Sequence, residues 1–160
     1  MEIFGGIELS EDRIQITLTP EQAYALIMAA DLFTRLSLGQ IEELSLIIQQ
    51  GVIPMCSEGN AKRIEPNMDI IAGIDGAVAA IKGLLGYPHN GSHGIGHPHV
   101  CMEGHRCYEF RKVVEKVLSE WREPNPKFRG VNYDGLGPRY THDPQPTAVM
   151  VKINKITTRI

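Results

Sequence analysis

The run Ile14-Gln15-Ile16-Thr17-Leu18-Thr19-Pro20-Glu21-Gln22 carries two periodicities in nine residues. Ile14, Ile16 and Leu18 alternate with Gln15 and Thr17, the period-two pattern of a half-buried strand. Thr19-Pro20-Glu21-Gln22 then reads as a helix start. A threonine in the cap position, proline in the first turn and glutamine three residues after the cap make a capping box. Ala23, Leu26, Ile27, Ala30, Phe33 and Leu36 continue at helical spacing. A strand feeding a helix predicts a mixed chain.

After Ser37-Leu38-Gly39 a second helical pattern runs through Ile41, Leu44, Leu46, Ile47 and Ile48 and stops before Gly51. Residues 51–66 are turn-rich. A third helix is expected from Asn67, with Met68, Ile71, Ile74, Val78, Ile81 and Leu85 on its apolar face. Gly73, Gly76 and Gly83 lower its propensity by about 1 kcal/mol each and would let another helix approach closely. A fourth helix is expected from His105 to Trp121, with Tyr108, Val113 or Val114, Val117, Leu118 and Trp121 as core candidates. Glu123-Pro124-Asn125-Pro126 ends it. Residues 129–134 and 148–153 read as two further strands. The expected fold is therefore α+β: three to four helices packed on a small, mainly antiparallel sheet. The chain, 1–160, is read as a single domain with a Gly/His-rich loop at 87–104 and an irregular connection at 135–146.

Composition narrows the function classes. Sixteen basic and nineteen acidic side chains give a net charge of −3, too mild for a protein held on duplex nucleic acid by bulk charge. No apolar run is long enough for a membrane span. Met1 to Gly6 lacks the pattern of a secretory leader. Three cysteines in a chain of this size disfavour a disulfide scaffold. Charge is segregated, however. Residues 1–80 hold four basic and twelve acidic groups, and residues 81–160 hold twelve and seven. A basic half suits an anion, or an acidic surface on a second copy.

Chemistry concentrates between His89 and Cys107, where nineteen residues hold five of six histidines and two of three cysteines. Imidazole and thiolate suit zinc. Cys101, His105 and Cys107, with His97 or His99 as a fourth ligand, would make a tetrahedral set, although no standard zinc spacing is present. The competing reading is a polar surface loop with histidines recruited for turns. The same glycines, in Asn90-Gly91-Ser92-His93-Gly94-Ile95-Gly96, would let backbone amides approach a phosphate just before a helix. The loop is neither a P-loop nor a dinucleotide fingerprint. Arg106, Arg111, Lys112 and Lys116, then Arg122, Lys127 and Arg129, add cations, with guanidinium forks suited to phosphate. Tyr87, His97 and Tyr133 offer rings on which a base can stack. Against this, Lys112 with Glu115 and Lys116 with Glu120 make an ordinary solvated helix face. Catalysis has thin support: Cys107 beside Arg106 as a reactive thiol, and Asp134 with His142 as an acid–base pair.

Three stretches together resemble a known family. They are Leu18-Thr19-Pro20-Glu21-Gln22 leading into Ala30-Asp31-Leu32-Phe33-Thr34-Arg35-Leu36-Ser37-Leu38-Gly39-Gln40-Ile41-Glu42-Glu43, Leu85-Gly86-Tyr87-Pro88 with Asn90, Ser92 and Gly94-Ile95-Gly96, and Gly130-Val131-Asn132-Tyr133-Asp134 with Gln145-Pro146-Thr147. Over about residues 14–150 the pattern resembles small tailed-phage proteins, and among them the Thoeris anti-defence sponges that capture cyclic ADP-ribose isomers. That resemblance implies a non-enzymatic protein without cofactor or metal. It would act in the host cytoplasm, dimeric or of higher order, and sequester a host immune nucleotide without cutting it. In the family an aromatic residue and an asparagine flank the glycine loop, and helical arginines grip phosphate. Tyr87 takes the aromatic role; His97 stands where the asparagine is expected, and Glu115 where a helical arginine is expected. Those departures imply another nucleotide, or a phosphate contact moved to Arg111 and Arg122. The ligand-binding set is then Tyr87, Asn90, Ser92, His97, Arg106, Arg111, Arg122 and Tyr133. The alternatives are a protein–protein inhibitor of a host enzyme and a small zinc-stabilised protein.

Overall fold

Thr19 caps the first helix as its sequence dictates. Its hydroxyl accepts from the Gln22 N–H at 3.2 Å, and the Gln22 side-chain oxygen accepts from the Thr19 N–H at 2.9 Å. The computed structural model describes residues 14–56, 63–65, 67–133 and 137–151. In chain order it places α1 (Pro20–Ser37), α2 (Glu43–Gln49), β1 (Met55–Cys56), β2 (Arg63–Ile64), α3 (Met68–Leu84) and α4 (Met102–Arg122).

The fold is mostly helical, which corrects the expected helices-on-sheet arrangement. The only ladder among the described residues pairs Met55 with Ile64 and Cys56 with Arg63, antiparallel, inside the stretch read as turn-rich. None of the three expected strands pairs among the described residues. Residues 14–19 have no regular structure, and Ile14 is 91% exposed. Residues 131–133 form a turn, and 144–151 pair with nothing regular; Asp134, Lys152 and Ile153 lie outside the described residues. Alternation records which side chains would share a face, but a strand needs a partner edge to satisfy its backbone. These segments have none in the described chain.

α1 and α4 form the principal pair. Ala23 and Ile27 meet Leu118, with Val114 packed against them. Close approach at the other end of the pair is set by Gly104, whose missing Cβ would collide with the Ser37 side chain. α2 and α3 form a second pair with little apolar burial. The Ser45 hydroxyl bonds the Asp75 carboxylate, and Lys82, a residue only 2% exposed, places its Nζ 2.8 Å from Glu42. Gly73, Gly76 and Gly83 have nothing near their missing Cβ atoms among the described residues, so the close helix contact they would allow is not made there. Arg35 joins the pairs by bonding Asp31 at 2.7 Å and Glu43 at 2.9 Å. No helix among the described residues is long and apolar enough to cross a membrane.

Candidate functional site

The loop from Tyr87 to Val100 is held at both ends and in the middle. Gly86 (φ +81°) turns the chain out of α3, and the Tyr87 N–H donates to the Lys82 carbonyl at 3.0 Å. Tyr87 lies on Gly39 (φ +82°), in the α1–α2 turn, so closely that any Cβ there would enter its ring. The His93 N–H donates to the Leu38 carbonyl at 2.8 Å, fixing the loop to the end of α1. On the other side His105 Nε2 donates to the Ile95 carbonyl at 2.8 Å, fixing it to α4. Val100 is buried, and the Cys101 sulfur caps α4 by accepting from the Gly104 N–H at 3.4 Å.

Residues 137–146 complete the wall as a strap across α4. The buried Glu109 carboxylate accepts the N–H groups of Tyr140 and Thr141 at 2.8 and 2.9 Å and the Thr141 hydroxyl at 2.8 Å. Burial pushes this carboxyl up, but those three hydrogen bonds and nearby Arg139 outweigh it and hold it below the usual glutamate range. Tyr140 in turn stacks on His105, with ring centroids 5.3 Å apart.

Within this frame three imidazoles converge. His93 and His97 stack with centroids 3.6 Å apart and planes 6° from parallel. His99 stands edge-on to both, at 5.8 and 4.9 Å, and Tyr87 lies 5.1 Å from His93. One ring nitrogen from each of the three histidines lies within 4.8 Å of the other two. Turns made by the His97 N–H to the Gly94 carbonyl and the Val100 N–H to the His97 carbonyl reverse the chain twice and bring the rings to one side. Desolvation pushes the His97 imidazole below its usual range, and His93 and His99 push it further.

The expected ligand-binding residues divide. Tyr87 and His97 meet through His93, and Asn90 and Ser92 are exposed on the same loop. Arg106 lies beside His105 on the first turns of α4, where it bonds Asp143 at 2.5 and 3.3 Å and has Glu103 at 3.8 Å. Arg111 is engaged in the fold, its guanidinium paired with Asp31 and 3.7 Å from Glu115. Arg122 is exposed sixteen residues beyond Arg106, about 24 Å along the helix axis. Tyr133 also lies toward that end, its hydroxyl donating to the Ser119 carbonyl at 3.2 Å. One small ligand cannot span all four.

The zinc set suggested by the local density of histidine and cysteine is not assembled. His105 is committed to Ile95, Cys101 to its cap, and among the described residues the one cluster with ligand spacing is His93, His97 and His99. Burial, helped by Cys101 and Glu103, pushes the Cys107 thiol up, the opposite of an activated nucleophile. His142 is exposed, and Asp134 lies outside the described residues. Sequence reasoning passed over His93, whose spacing to His97 and His99 across two glycines and a proline was the available signal. It also passed over Glu109, whose partners lie more than thirty residues away. Comparison with protein-family models, with curated proteins and with solved structures finds no match to this chain.

Proposed function

We propose that the protein is a phage-encoded anti-defence protein that binds a cyclic nucleotide immune signal of the cyclic ADP-ribose type and sequesters it without cleavage, in the host cytoplasm. The observation that carries this reading is the anchored loop 87–99, where ring faces stand together beside exposed Asn90 and Ser92. Stacking on such rings contributes roughly 1–3 kcal/mol per base and tolerates different bases. Arg106, next in sequence to the His105 that anchors the loop, is the phosphate contact in this reading. Its pair with Asp143 is exposed, and an exposed pair is readily exchanged for a phosphate oxygen. Arg111 belongs to the scaffold in this reading, and Arg122 and Tyr133 do not share the ligand. Capture requires affinity rather than transition-state stabilisation, which is consistent with a Cys107 thiol kept protonated by burial.

The reading adds a second copy of the chain as partner. Trp121, Val149 and Met150 are exposed around an open groove of about 410 Å³ between α4 and residues 148–150, which Glu120 also lines. The segregation of acidic and basic halves supplies complementary charge for self-association.

Purified protein incubated with a panel of cyclic ADP-ribose isomers and cyclic di- and trinucleotides, then heated, should release one of them intact, as read by mass spectrometry. Arg106→Ala should weaken retention without changing the circular dichroism spectrum. A chemically altered nucleotide would make the protein an enzyme. No retained nucleotide would end the reading in favour of a host protein as partner.

A further inference from the structure

We propose that His93, His97 and His99 form a binding site for a divalent transition-metal ion of the zinc class, with an open coordination position toward solvent. The proposal does not rest on nucleotide capture, although it draws on His93 and His97, whose rings that reading also uses, and its test reads metal uptake with no nucleotide present.

Three facts converge on it. First, the ligand atoms are already close. Zinc–imidazole bonds of about 2.0–2.1 Å in a tetrahedral site place ligand nitrogens about 3.4 Å apart. The three ring nitrogens lie within 4.8 Å of one another, so rotation of the rings about their own side-chain bonds closes the difference. The parallel His93–His97 stack must open in that step, because a metal lies in the plane of each ring it binds. Second, the backbone is already fixed. The His93 N–H is tied to Leu38, the His97 N–H to Gly94, and His105 ties Ile95 to α4. A preorganised loop loses little further entropy when it takes an ion. Third, the internal bond the ion would displace is weak: His97 Nδ1 accepts the His99 N–H at 3.3 Å.

Softness and geometry select the ion. Three neutral imidazoles suit zinc, copper, nickel and cobalt, whereas magnesium and calcium require oxygen ligands. His99 is exposed and His93 and His97 are half-buried, so the fourth position faces solvent and takes water or an exogenous ligand. Such a site differs from a closed structural zinc site built on thiolates.

The test uses the full chain without an affinity tag, stripped of metal and titrated with Zn2+ and, separately, Co2+. One equivalent of Zn2+ per chain is expected by calorimetry, together with a rise in Tm. Co2+ should give the visible absorption of a tetrahedral nitrogen site. His99→Ala removes an exposed ligand whose ring contacts are the edge-on ones to His93 and His97, and should weaken Zn2+ binding at least tenfold while leaving the apo circular dichroism spectrum unchanged. His93→Asn combined with His97→Asn should abolish binding, while the His89→Ala and His142→Ala controls should bind as the parent does. The proposal is overturned if the parent takes up no Zn2+. It is equally overturned if His99→Ala binds as the parent does, or if Cys101→Ser with Cys107→Ser, rather than the histidine variants, abolishes binding.

Discussion

The two helix pairs of this molecule are held together by different physics. α1 and α4 share an apolar seam of Ala23, Ile27, Val114 and Leu118, tightened where Gly104 meets Ser37. α2 and α3 are pinned by polar contacts, Ser45 to Asp75 and Glu42 to Lys82, while Leu46, Met68, Ile81 and Leu84 remain exposed. The candidate site is built on the first pair, its loop anchored to the end of α1 and the start of α4. Apolar packing fixes distances between backbones, which a convergent cluster of side chains requires. The pinned pair leaves apolar side chains uncovered, and α3, with only Val78 and Lys82 buried, is the clearest instance.

The seam should be where damage is greatest. Ile27 is 5% exposed, and Ile27→Ala should cost about 3 kcal/mol, since deleting buried methyl groups loses transfer energy and leaves a cavity. Denaturant unfolding should show the midpoint fall with no change in slope. Leu46→Ala, on the other pair and 44% exposed, should cost a small fraction of that. Equal costs would mean that the apolar seam does not dominate.

Next in size is the joint between the two regions. Gly39 adopts φ +82° with the Tyr87 ring against it, so Gly39→Ala pays for both a left-handed backbone and a displaced aromatic ring. A cost of about 2 kcal/mol is expected. The loop should loosen with it, seen as faster amide exchange at His93, whose N–H bonds Leu38 on the same turn. Gly86→Ala, with a similar φ and nothing near its missing Cβ, should cost less and leave His93 protected.

How much of this was legible in the sequence follows from the same contrast. Local signals read correctly. The capping box at Thr19 starts α1, Asn67 caps α3 through the Ile70 N–H, and glycine and proline end the helices close to where they were expected. α4 begins at Met102 rather than His105, because a cysteine serves as its cap and Gly104 obscured the first turn. Long-range facts were not legible. Alternation at 14–18, 129–134 and 148–153 cannot reveal whether a partner strand exists. Arg111 looks like a phosphate ligand until Asp31, eighty residues earlier, proves to hold it. The density of ligands between His89 and Cys107 was plain, but which three converge depends on where α4 directs Cys101, His105 and Cys107.

The polar pins should respond to charge rather than to volume. Lys82 is buried, whereas the Glu42 side chain is 54% exposed. Removing the carboxylate with Glu42→Gln strands a buried ammonium and should cost about 1–2 kcal/mol. That is below the ~3–5 kcal/mol typical of a wholly buried pair, because one partner keeps its water. Lys82→Met removes the charge and keeps the volume, so it should be near neutral, and it should rescue Glu42→Gln. A double-mutant cycle on thermal unfolding measures this directly. Failure of the rescue would show that Lys82 contributes through packing of its stem, as α1–α4 side chains do.

The smallest effect is local, and it distinguishes the strap from the helices it crosses. Glu109 has its carboxyl held below the usual glutamate value of 4.5 by the Tyr140 and Thr141 bonds, so its contribution is fully present above the unfolded-state value and is lost as pH falls through the lower folded one. Asp143 of the strap, lowered chiefly by the hydrogen bond from Arg106, loses its tie to α4 in the same direction. Below about pH 4.5 the amides of Tyr140 and Thr141 should therefore lose exchange protection while those at Ile27 and Leu118 keep theirs, since their apolar contacts with Ala23 and Val114 contain no titrating group and the Asp31–Arg111 bridge between the same helices lies outside that cluster. Glu109→Gln keeps an acceptor oxygen but cannot titrate, so it should lower protection at neutral pH and flatten its dependence on acid. If the seam amides were lost together with the strap, the strap and the α1–α4 pair would be one cooperative unit, and Glu109 would then be part of what holds the candidate site's backbone in place.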